Sequence, residues 1–108
     1  MNLAGTKSYC RTEIYINQGN KEMNKALFDF LFELKDSIEE AMGVPLIWER
    51  MDENVSCRIK HQLNGVNIYD QSEWEKMINF LIDSSQRMVE AFKKPVKKLN
   101  NYRKTIKL

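Results

Sequence analysis

The stretch Pro45–His61, PLIWERMDENVSCRIKH, decides the fold. Two runs rich in strand-forming residues, Leu46–Met51 and Ser56–His61, flank the polar residues Asp52–Asn54, which predicts a β-hairpin with a connection of about three to five residues. Because side chains alternate along a strand, the hairpin has one apolar face and one polar face. The apolar face would carry Leu46, Trp48, Cys57 and Ile59, and the opposite face Glu49, Met51, Arg58 and Lys60.

A second alternating segment, Tyr9–Ile16, is typical of a half-buried strand. The residues before it, Met1–Ser8, include Gly5 and small polar side chains and predict no regular element. The polar face of this strand resembles that of the hairpin in character, so we expect both to belong to one sheet. Its apolar face would carry Cys10, Thr12, Ile14 and Ile16, and its polar face Tyr9, Arg11, Glu13 and Tyr15.

Apolar residues recur at three- and four-residue intervals over two longer segments, which predicts two helices. Lys21–Met42 predicts one core helix, with Asn20 as its N-cap and Gly43 as a left-handed C-cap. After the hairpin, Ser72–Glu75 has the Ser-x-x-Glu form of a capping box that would start the second helix. We expect Pro95 to break or kink that helix, because a proline removes a backbone hydrogen bond and clashes with the preceding turn.

The resulting order, β-α-β-β-α, predicts an α+β fold: a two-layer sandwich in which two long helices cover one face of a three-stranded, mainly antiparallel sheet. We expect Tyr9–Ile16 to lie antiparallel beside Ser56–His61, with Leu46–Met51 at the far edge. A parallel position beside Leu46–Met51 is the alternative. The 108 residues would form a single domain with its core at about 9–92 and a basic helical extension or tail at 93–108.

Cysteine and histidine are too few and too widely spaced for a metal site of the usual kind. Cys10 and Cys57 both fall on the apolar phase of predicted strands, which favours buried free thiols over a disulfide. No apolar run approaches the roughly 18 residues of a membrane span, and the N-terminus lacks the order of a signal peptide. We therefore expect a cytoplasmic protein with no metal, no cofactor and no membrane partner.

The net charge of +2 conceals a segregation of charge along the chain. Residues 1–92 hold 10 basic and 15 acidic residues, a balance of −5, whereas residues 93–108 hold seven basic residues, including Lys107, and no acidic one. Such a segment either contacts phosphates, with an affinity that falls steeply with salt, or forms a solvated terminus or a joint to another domain. The candidate nucleic-acid contacts in it are Lys93, Lys94, Lys97, Lys98, Arg103 and Lys104.

The polar face of the predicted sheet is a second candidate site. Opposite charges on neighbouring strands stabilise a solvated sheet by roughly 0.2–1 kcal/mol per pair, which is one interpretation of this face. The other is a nucleic-acid-binding face, on which the three cations contact phosphates and Tyr15 stacks on a base. Two carboxylates among the cations weaken that interpretation. The residues of the face are Arg11, Glu13, Tyr15, Glu49, Arg58 and Lys60.

The carboxylates Glu13 and Glu49 are also the candidates for catalysis. A metal-dependent nuclease needs carboxylates that converge on a divalent cation and usually a lysine that orients the attacking water. The sequence has no Pro-Asp pair and no Glu-x-Lys on a strand, and Arg50 stands where a lysine would be wanted. A single histidine, His61, isolated at a strand end, argues against a Ser/His/Asp or Cys/His nucleophile.

Phe28 and Phe32, four residues apart, widen the apolar arc of the first helix beyond its main stripe. They are either additional core contacts or a docking face for a neighbouring domain or a second copy of the chain. A homodimer that pairs this arc or a sheet edge is therefore a further hypothesis.

Several short runs resemble, in order and spacing, the bacterial family called domain of unknown function 4268, over roughly residues 9–99. In that family the domain often lies at the C-terminal end of longer proteins, some with a restriction-endonuclease-like domain upstream, which implies an accessory role in DNA processing or defence. Since the chain starts close to the first matching strand, we expect a fragment or a stand-alone version with a surface free for a partner. The matching runs are Arg11–Ile16, Lys21–Phe28, Pro45–Arg50, Cys57–Ile59 and Trp74.

The sequence thus favours a non-catalytic binding or assembly module that contacts nucleic acid through its basic segment and the cations of the sheet. A nuclease-like, metal-dependent enzyme that uses Glu13 and Glu49 is one alternative, and a purely structural homodimerisation domain is another. The expected partners are nucleic acid, an upstream nuclease-like domain or a second copy of the chain.

Overall fold

Four strands and three α-helices make up residues 1–106, the part of the chain that the computed structural model describes. The class is α+β, as predicted, with one more strand and one more helix than expected. Residues 107 and 108, at the end of the predicted basic extension and including Lys107, lie outside the described residues. The elements are β1 (Asn2–Gly5), β2 (Tyr9–Ile16), α1 (Lys21–Glu33), α2 (Lys35–Met42), β3 (Ile47–Glu49), β4 (Cys57–Asn64), a 3-10 turn (Gln71–Glu73) and α3 (Trp74–Arg103).

The strands form one antiparallel sheet in the order β1-β2-β4-β3. In the central pair, β2 and β4, Glu13 lies opposite Lys60 and Tyr15 opposite Arg58. β3 pairs with the far side of β4, where Glu49 lies opposite Arg58. The preferred strand arrangement is therefore confirmed, and the parallel alternative is wrong.

The segment Met1–Ser8, for which the sequence predicted no regular element, contains the edge strand β1. Each of its four residues pairs with β2, from Asn2 opposite Glu13 to Gly5 opposite Cys10. A four-residue strand that ends in glycine shows too little alternation to be recognised, so its conformation depends on pairing with β2. The sheet accordingly has four strands and not three.

The hairpin connection is longer than predicted, because β3 ends at Glu49 and β4 starts only at Cys57. Met51, expected on the polar face of a strand, lies in this connection with a left-handed backbone conformation (φ 52°). The amine of Lys25, on α1, donates to the carbonyl oxygens of Arg50, Met51 and Ser56. These bonds hold the connection against α1, so its carbonyls have no need of a partner strand.

The first predicted helix is two helices. The chain leaves α-helical geometry at Leu34 (φ −96°, ψ 10°), whose N–H donates to the carbonyl oxygen of Leu31 at 2.9 Å, as in a 3-10 turn. No glycine or proline marks this position, so the sequence carried no signal for the break. The second helix buries Ile38 and Met42 almost completely.

Two of the three predicted helix caps are confirmed. The side chain of Asn20 accepts a hydrogen bond from the N–H of Met23 at 2.7 Å, and Gly43 ends α2 in the left-handed conformation (φ 81°). The prediction of a capping box at Ser72 is wrong. Ser72 lies inside the 3-10 turn, its N–H is capped by Asp70 at 3.0 Å, and α3 starts only at Trp74.

α3 runs for 30 residues and includes Pro95 within it. Of the two predicted effects, a break or a kink, the break is therefore wrong. Beyond the proline, Leu99, Tyr102 and Ile106 pack against the main core, and the ring of Tyr102 stacks on Phe30 at 4.7 Å. This packing on both sides of the proline compensates for the lost backbone hydrogen bond, which costs about 3 kcal/mol in a helix interior.

The main core lies between the helices and one face of the sheet, as predicted from the alternation of the strands. Cys10 and Cys57 are fully buried free thiols, as expected. Phe28 is a core residue, whereas Phe32 remains 46% exposed and meets Trp48 edge-on at 5.6 Å. The fully or nearly buried members of the main core are Ile16, Leu27, Phe28, Leu31, Ile38, Met42, Leu46, Cys57, Ile59, Met88, Ala91 and Phe92.

Candidate functional site

Five charged side chains on the open face of the sheet form an alternating ionic chain, which we call the charged sheet face. They come from alternate positions of β2, β3 and β4, so the pleat of the sheet points them all away from the helices. In spatial order they are Arg11, Glu13, Arg58, Glu49 and Lys60.

Arg58 occupies the centre of the charged sheet face. Its Nε lies 2.7 Å from Oε2 of Glu13, and its Nη1 lies 3.5 Å from Oε1 of Glu49. Arg11 contacts the same Glu13 oxygen at 3.2 Å, and the amine of Lys60 contacts Glu49 at 3.3 Å. Every cation is therefore paired with a carboxylate on its own or a neighbouring strand.

Burial distinguishes this chain of charges from an ordinary surface network. The side chain of Glu13 is only 9% exposed, that of Lys60 13% and that of Arg11 14%. Tyr15, the predicted base-stacking residue, is more open at 43%, and the guanidinium of Arg58 lies 6.0 Å from its ring centre. A phosphate that approached these cations would compete with the carboxylates that already pair with them.

The two catalytic candidates do not face each other across an open space. Glu13 and Glu49 lie on opposite sides of Arg58, which separates them. Arg50 is absent from the charged sheet face and pairs with Asp29 at 2.9 Å and with Asp52 on the β3–β4 connection. Within residues 1–106, no group of three or more His, Cys, Asp or Glu side chains is placed to hold a metal ion.

Four exposed lysines near the C-terminal end of α3 and a fifth at its C-cap form what we call the basic helix surface: Lys93, Lys94, Lys97, Lys98 and Lys104. Helical spacing places Lys93, Lys97 and Lys104 in one row and Lys94 and Lys98 in the next. No acidic residue occurs from position 93 onward, and the carboxylate that borders the rows is that of Glu90, which lines the same groove as Lys94 and Lys98.

The remaining predicted contact, Arg103, is exposed but belongs to another side of the helix. Its Nη1 donates to the side-chain oxygen of Gln18 at 2.8 Å, which attaches the end of α3 to the turn after β2. Lys94 and Lys98 line a groove between α2 and α3, opposite Ser37 and Ala41. The basic helix surface is thus part of the folded body and not a detached tail.

A buried polar cluster that the sequence did not reveal joins the sheet to the middle of α3. The Oγ of Ser84 lies 2.5 Å from Oγ1 of Thr12 and 2.8 Å from Nδ1 of His61. His61, expected to be isolated at a strand end, lies within β4 and packs on the ring of Phe80. Ser84 and Thr12 are fully buried, so this serine is not accessible to a substrate.

The protonation of this cluster follows from its burial. Desolvation lowers the pKa of His61 below its ordinary value, while Asp83 raises it and Arg87 lowers it to smaller extents. His61 is therefore neutral at pH 7 and bonds Ser84 as a neutral imidazole. The arrangement resembles a serine–histidine pair in composition only, because no approach to the hydroxyl exists.

Lys25 forms the second cluster that the sequence did not reveal. Besides its three carbonyl acceptors, its amine lies 3.4 Å from Sγ of Cys57, while the neighbouring Asn24 donates to the carbonyl of Val55 at 2.8 Å. Burial raises the pKa of the Cys57 thiol, and Lys25 only partly offsets this effect. Burial likewise raises the pKa of Cys10, so neither cysteine is a thiolate nucleophile at neutral pH.

A comparison with protein-family models finds a match to the family described as Domain of unknown function (DUF4268) over residues 1–96. The chain belongs to this family. The suspected resemblance is confirmed, and the matched DUF4268 region includes all four strands and α3 as far as Val96. Lys97, Lys98 and Lys104 lie beyond the matched region of the DUF4268 domain. No curated protein and no solved structure matches the chain significantly.

The longest helix of this DUF4268 chain, α3, is amphipathic and highly charged. None of the helices within residues 1–106 has the length and the apolar character that a membrane crossing requires.

Proposed function

We propose that this DUF4268 chain is a non-catalytic binding module that contacts the phosphate backbone of nucleic acid through the basic helix surface. The observation that supports this most directly is the presence of five exposed lysines in a segment, from residue 93 onward, that contains no acidic residue. The nearest carboxylate in the sequence is Glu90, one helical turn before Lys93 and Lys94. An accessory role in DNA processing or restriction, beside a nuclease-like domain, fits such a module. The two buried free thiols fit a reducing cytoplasm.

The geometry of the lysines suits backbone contact and not base recognition. From Lys93 to Lys104 the row spans about 16 Å along the helix axis, at 1.5 Å per residue. A DNA duplex of that length carries roughly ten phosphate charges, so every lysine has a phosphate within reach. Lysine is a mobile point charge without the planar fork that arginine offers to a guanine edge, so the proposed binding is independent of sequence.

The charged sheet face contributes less to the proposed binding. Its three cations are matched by two carboxylates, and each cation is already within 3.5 Å of one of them. Its role in the proposal is to stabilise the open side of the sheet. The nuclease alternative is disfavoured because Arg58 lies between Glu13 and Glu49, where two carboxylates would have to share a metal.

The test is the binding of a labelled duplex DNA, and of single-stranded DNA and RNA, over a salt series from about 50 to 300 mM. The first variant replaces Lys93, Lys97 and Lys98 by glutamine. Its matched control replaces three exposed lysines outside the surface, Lys7, Lys21 and Lys76, by glutamine and thus has the same net charge.

We expect the first variant to lose at least about tenfold in affinity and the slope of log K against log salt to flatten by about 2–3, since each lost phosphate contact removes about 0.9 from the slope for duplex DNA. The control should bind like the wild type. Equal losses in both variants, or no binding by the wild type at low salt, would refute the proposed surface. Cleavage that requires Mg²⁺ and is lost on Glu49→Gln would instead establish the nuclease alternative.

A further inference from the structure

A second apolar row runs along α3, away from the core, and we call it the apolar stripe. Its members are 37–55% exposed and follow one another at intervals of four, seven and seven residues, which keeps them on one side of the helix. None of them belongs to the buried core. They are Ile78, Ile82, Val89 and Val96.

The edge strand β1 adds to the apolar stripe. Leu3 is 56% exposed and shares a shallow groove with Ile78 and Ile82. Met1 is 57% exposed and shares a second groove with Val89 and Val96. The apolar surface therefore continues from the helix onto the edge of the sheet.

The two edges of the sheet differ in their protection against pairing with another strand. β3 is three residues long, follows Pro45 closely and carries Glu49, and short length, proline and charge all discourage such pairing. β1, with the sequence NLAG, has no charge and no proline. β1 is nearly as short, at four residues, so the two edges differ in charge and proline, and the less protected edge is the one that borders the apolar stripe.

We propose that a second copy of this chain docks on this surface, so that two β1 strands pair antiparallel and the two α3 helices pack against each other along their apolar stripes. Pairing of β1 with its own copy requires a two-fold axis perpendicular to the sheet. Because both helices lie on the same face, that axis makes them antiparallel. Leu3, near the middle of β1, borders the groove that contains Ile82, so one axis can serve both contacts.

The charges of α3 favour this arrangement over a parallel one. Residues 74–92 contain three acidic and two basic residues, whereas residues 93–104 contain six basic residues and no acidic one. An antiparallel pair places the acidic part of one helix beside the basic part of the other. An axis between Ile82 and Val89 brings Glu75 of one copy near Lys97 of the other, while parallel helices would juxtapose the two basic parts.

The test is sedimentation equilibrium of the full chain over concentrations from about 1 to 500 µM, where mass action populates a weak dimer. The disrupting variant is Ile82→Glu, and the matched control is Val55→Glu. The two side chains are equally exposed, at 53% and 51%, but Val55 lies in the β3–β4 connection, away from the stripe. Val89→Glu provides a second disrupting variant, and melting curves of all three verify the fold.

We expect the wild type and Val55→Glu to dimerise and both stripe variants to remain monomeric, with a dissociation constant raised at least about tenfold. Hydrogen exchange of Asn2–Gly5 should slow as the wild type dimerises, because the free amides of β1 become paired. A wild type that stays monomeric overturns the proposal, and the surface would then suit a different partner. The proposal is also overturned if Ile82→Glu leaves the dissociation constant of the dimer unchanged. The same holds if the hydrogen-exchange rates of the β1 amides do not depend on protein concentration. None of these measurements involves nucleic acid, so the outcome is independent of the proposed function.

Discussion

Oε2 of Glu13 forms ion pairs with two arginines at once: it lies 2.7 Å from Nε of Arg58 and 3.2 Å from Nε of Arg11. The side chain of Glu13 is nevertheless only 9% exposed. These atoms meet as ion pairs without well-aligned hydrogen bonds. A carboxylate in this position is needed chiefly because the two partly buried guanidinium groups have lost water. Removing its charge leaves Arg11 without its carboxylate partner and Arg58 with the longer contact to Glu49 alone.

We therefore expect Glu13→Gln to lower the free energy of unfolding by about 1–3 kcal/mol. The control is Asp29→Asn, which removes an ion pair of similar length from Arg50 but at a site where both side chains are 42% or more exposed. Exposed pairs contribute about 0–1 kcal/mol, so this variant should be nearly neutral. Urea denaturation of both proteins measures the difference, and equal losses would contradict the role assigned to Glu13.

Replacement of Lys25 should release the β3–β4 connection. Lys25→Met keeps the aliphatic stem but removes the amine that the three carbonyl oxygens share, so that Met51 keeps only the N–H of Asn54 as a donor, and we expect a loss of about 2–4 kcal/mol. Lys21→Met, at an exposed position in the first turn of the same helix, should cost little. Hydrogen exchange resolved to residues 50–56 should accelerate in the first variant alone. Unchanged exchange there would show that the amine does not hold the connection.

His61 makes stability depend on pH in a defined direction. Its pKa is lower in the folded chain than in the unfolded one, chiefly through burial, so the unfolded state binds the proton more readily. The stabilisation is complete above the unfolded pKa of about 6.5 and is lost as pH falls through the folded pKa. Since the chain holds one histidine, a single imidazole resonance reports the titration by NMR.

We expect the midpoint of that resonance to lie below 6.5 in the folded protein. His61→Gln should reduce the difference in unfolding free energy between pH 7 and pH 5. A folded midpoint at or above the ordinary value would contradict the burial of the ring against Phe80.

Pro95→Ala should stabilise the protein. Alanine restores the backbone donor that proline removes from the interior of α3 and relieves the clash with the preceding turn. We expect the free energy of unfolding to rise by about 1–3 kcal/mol. The loss of the packing contacts of the half-buried proline ring reduces this gain. Chemical denaturation provides the measurement. A loss of stability would mean that α3 depends on a bend at this position.

The sequence was sufficient for the features that alternation and periodicity control. The position of β2 beside β4, the side of each strand that faces the helices and the burial of both cysteines followed from patterns of two and of three to four residues. β1 could not be predicted in this way, since four residues show no reliable alternation and pairing with β2 decides their conformation.

Other features depend on contacts between residues far apart in the chain. The carbonyls that accept from Lys25 lie in a connection with no sequence signal of its own. Thr12 and His61 lie on strands that the sequence predicts, but nothing in their pattern indicates that both meet Ser84. Pro95 illustrates the opposite case, because a strong local signal for a break was overridden by the packing of Leu99 and Tyr102. The candidate residues were thus identifiable from sequence, but their pairing, which determines how they act, was not.

The continuity of α3 also determines how the body of the molecule is oriented relative to a partner bound at the lysines. At 1.5 Å per residue the 30-residue helix is about 45 Å long, in a body whose longest extent is 50 Å, with its lysines near one end and the sheet packed against it. A flexible cationic tail would only tether the chain to a polyanion, leaving the body free to tumble. A helix that is part of the folded body instead transmits its orientation to the rest of the chain. A partner bound to the lysines would therefore also fix the direction in which the β1 edge points.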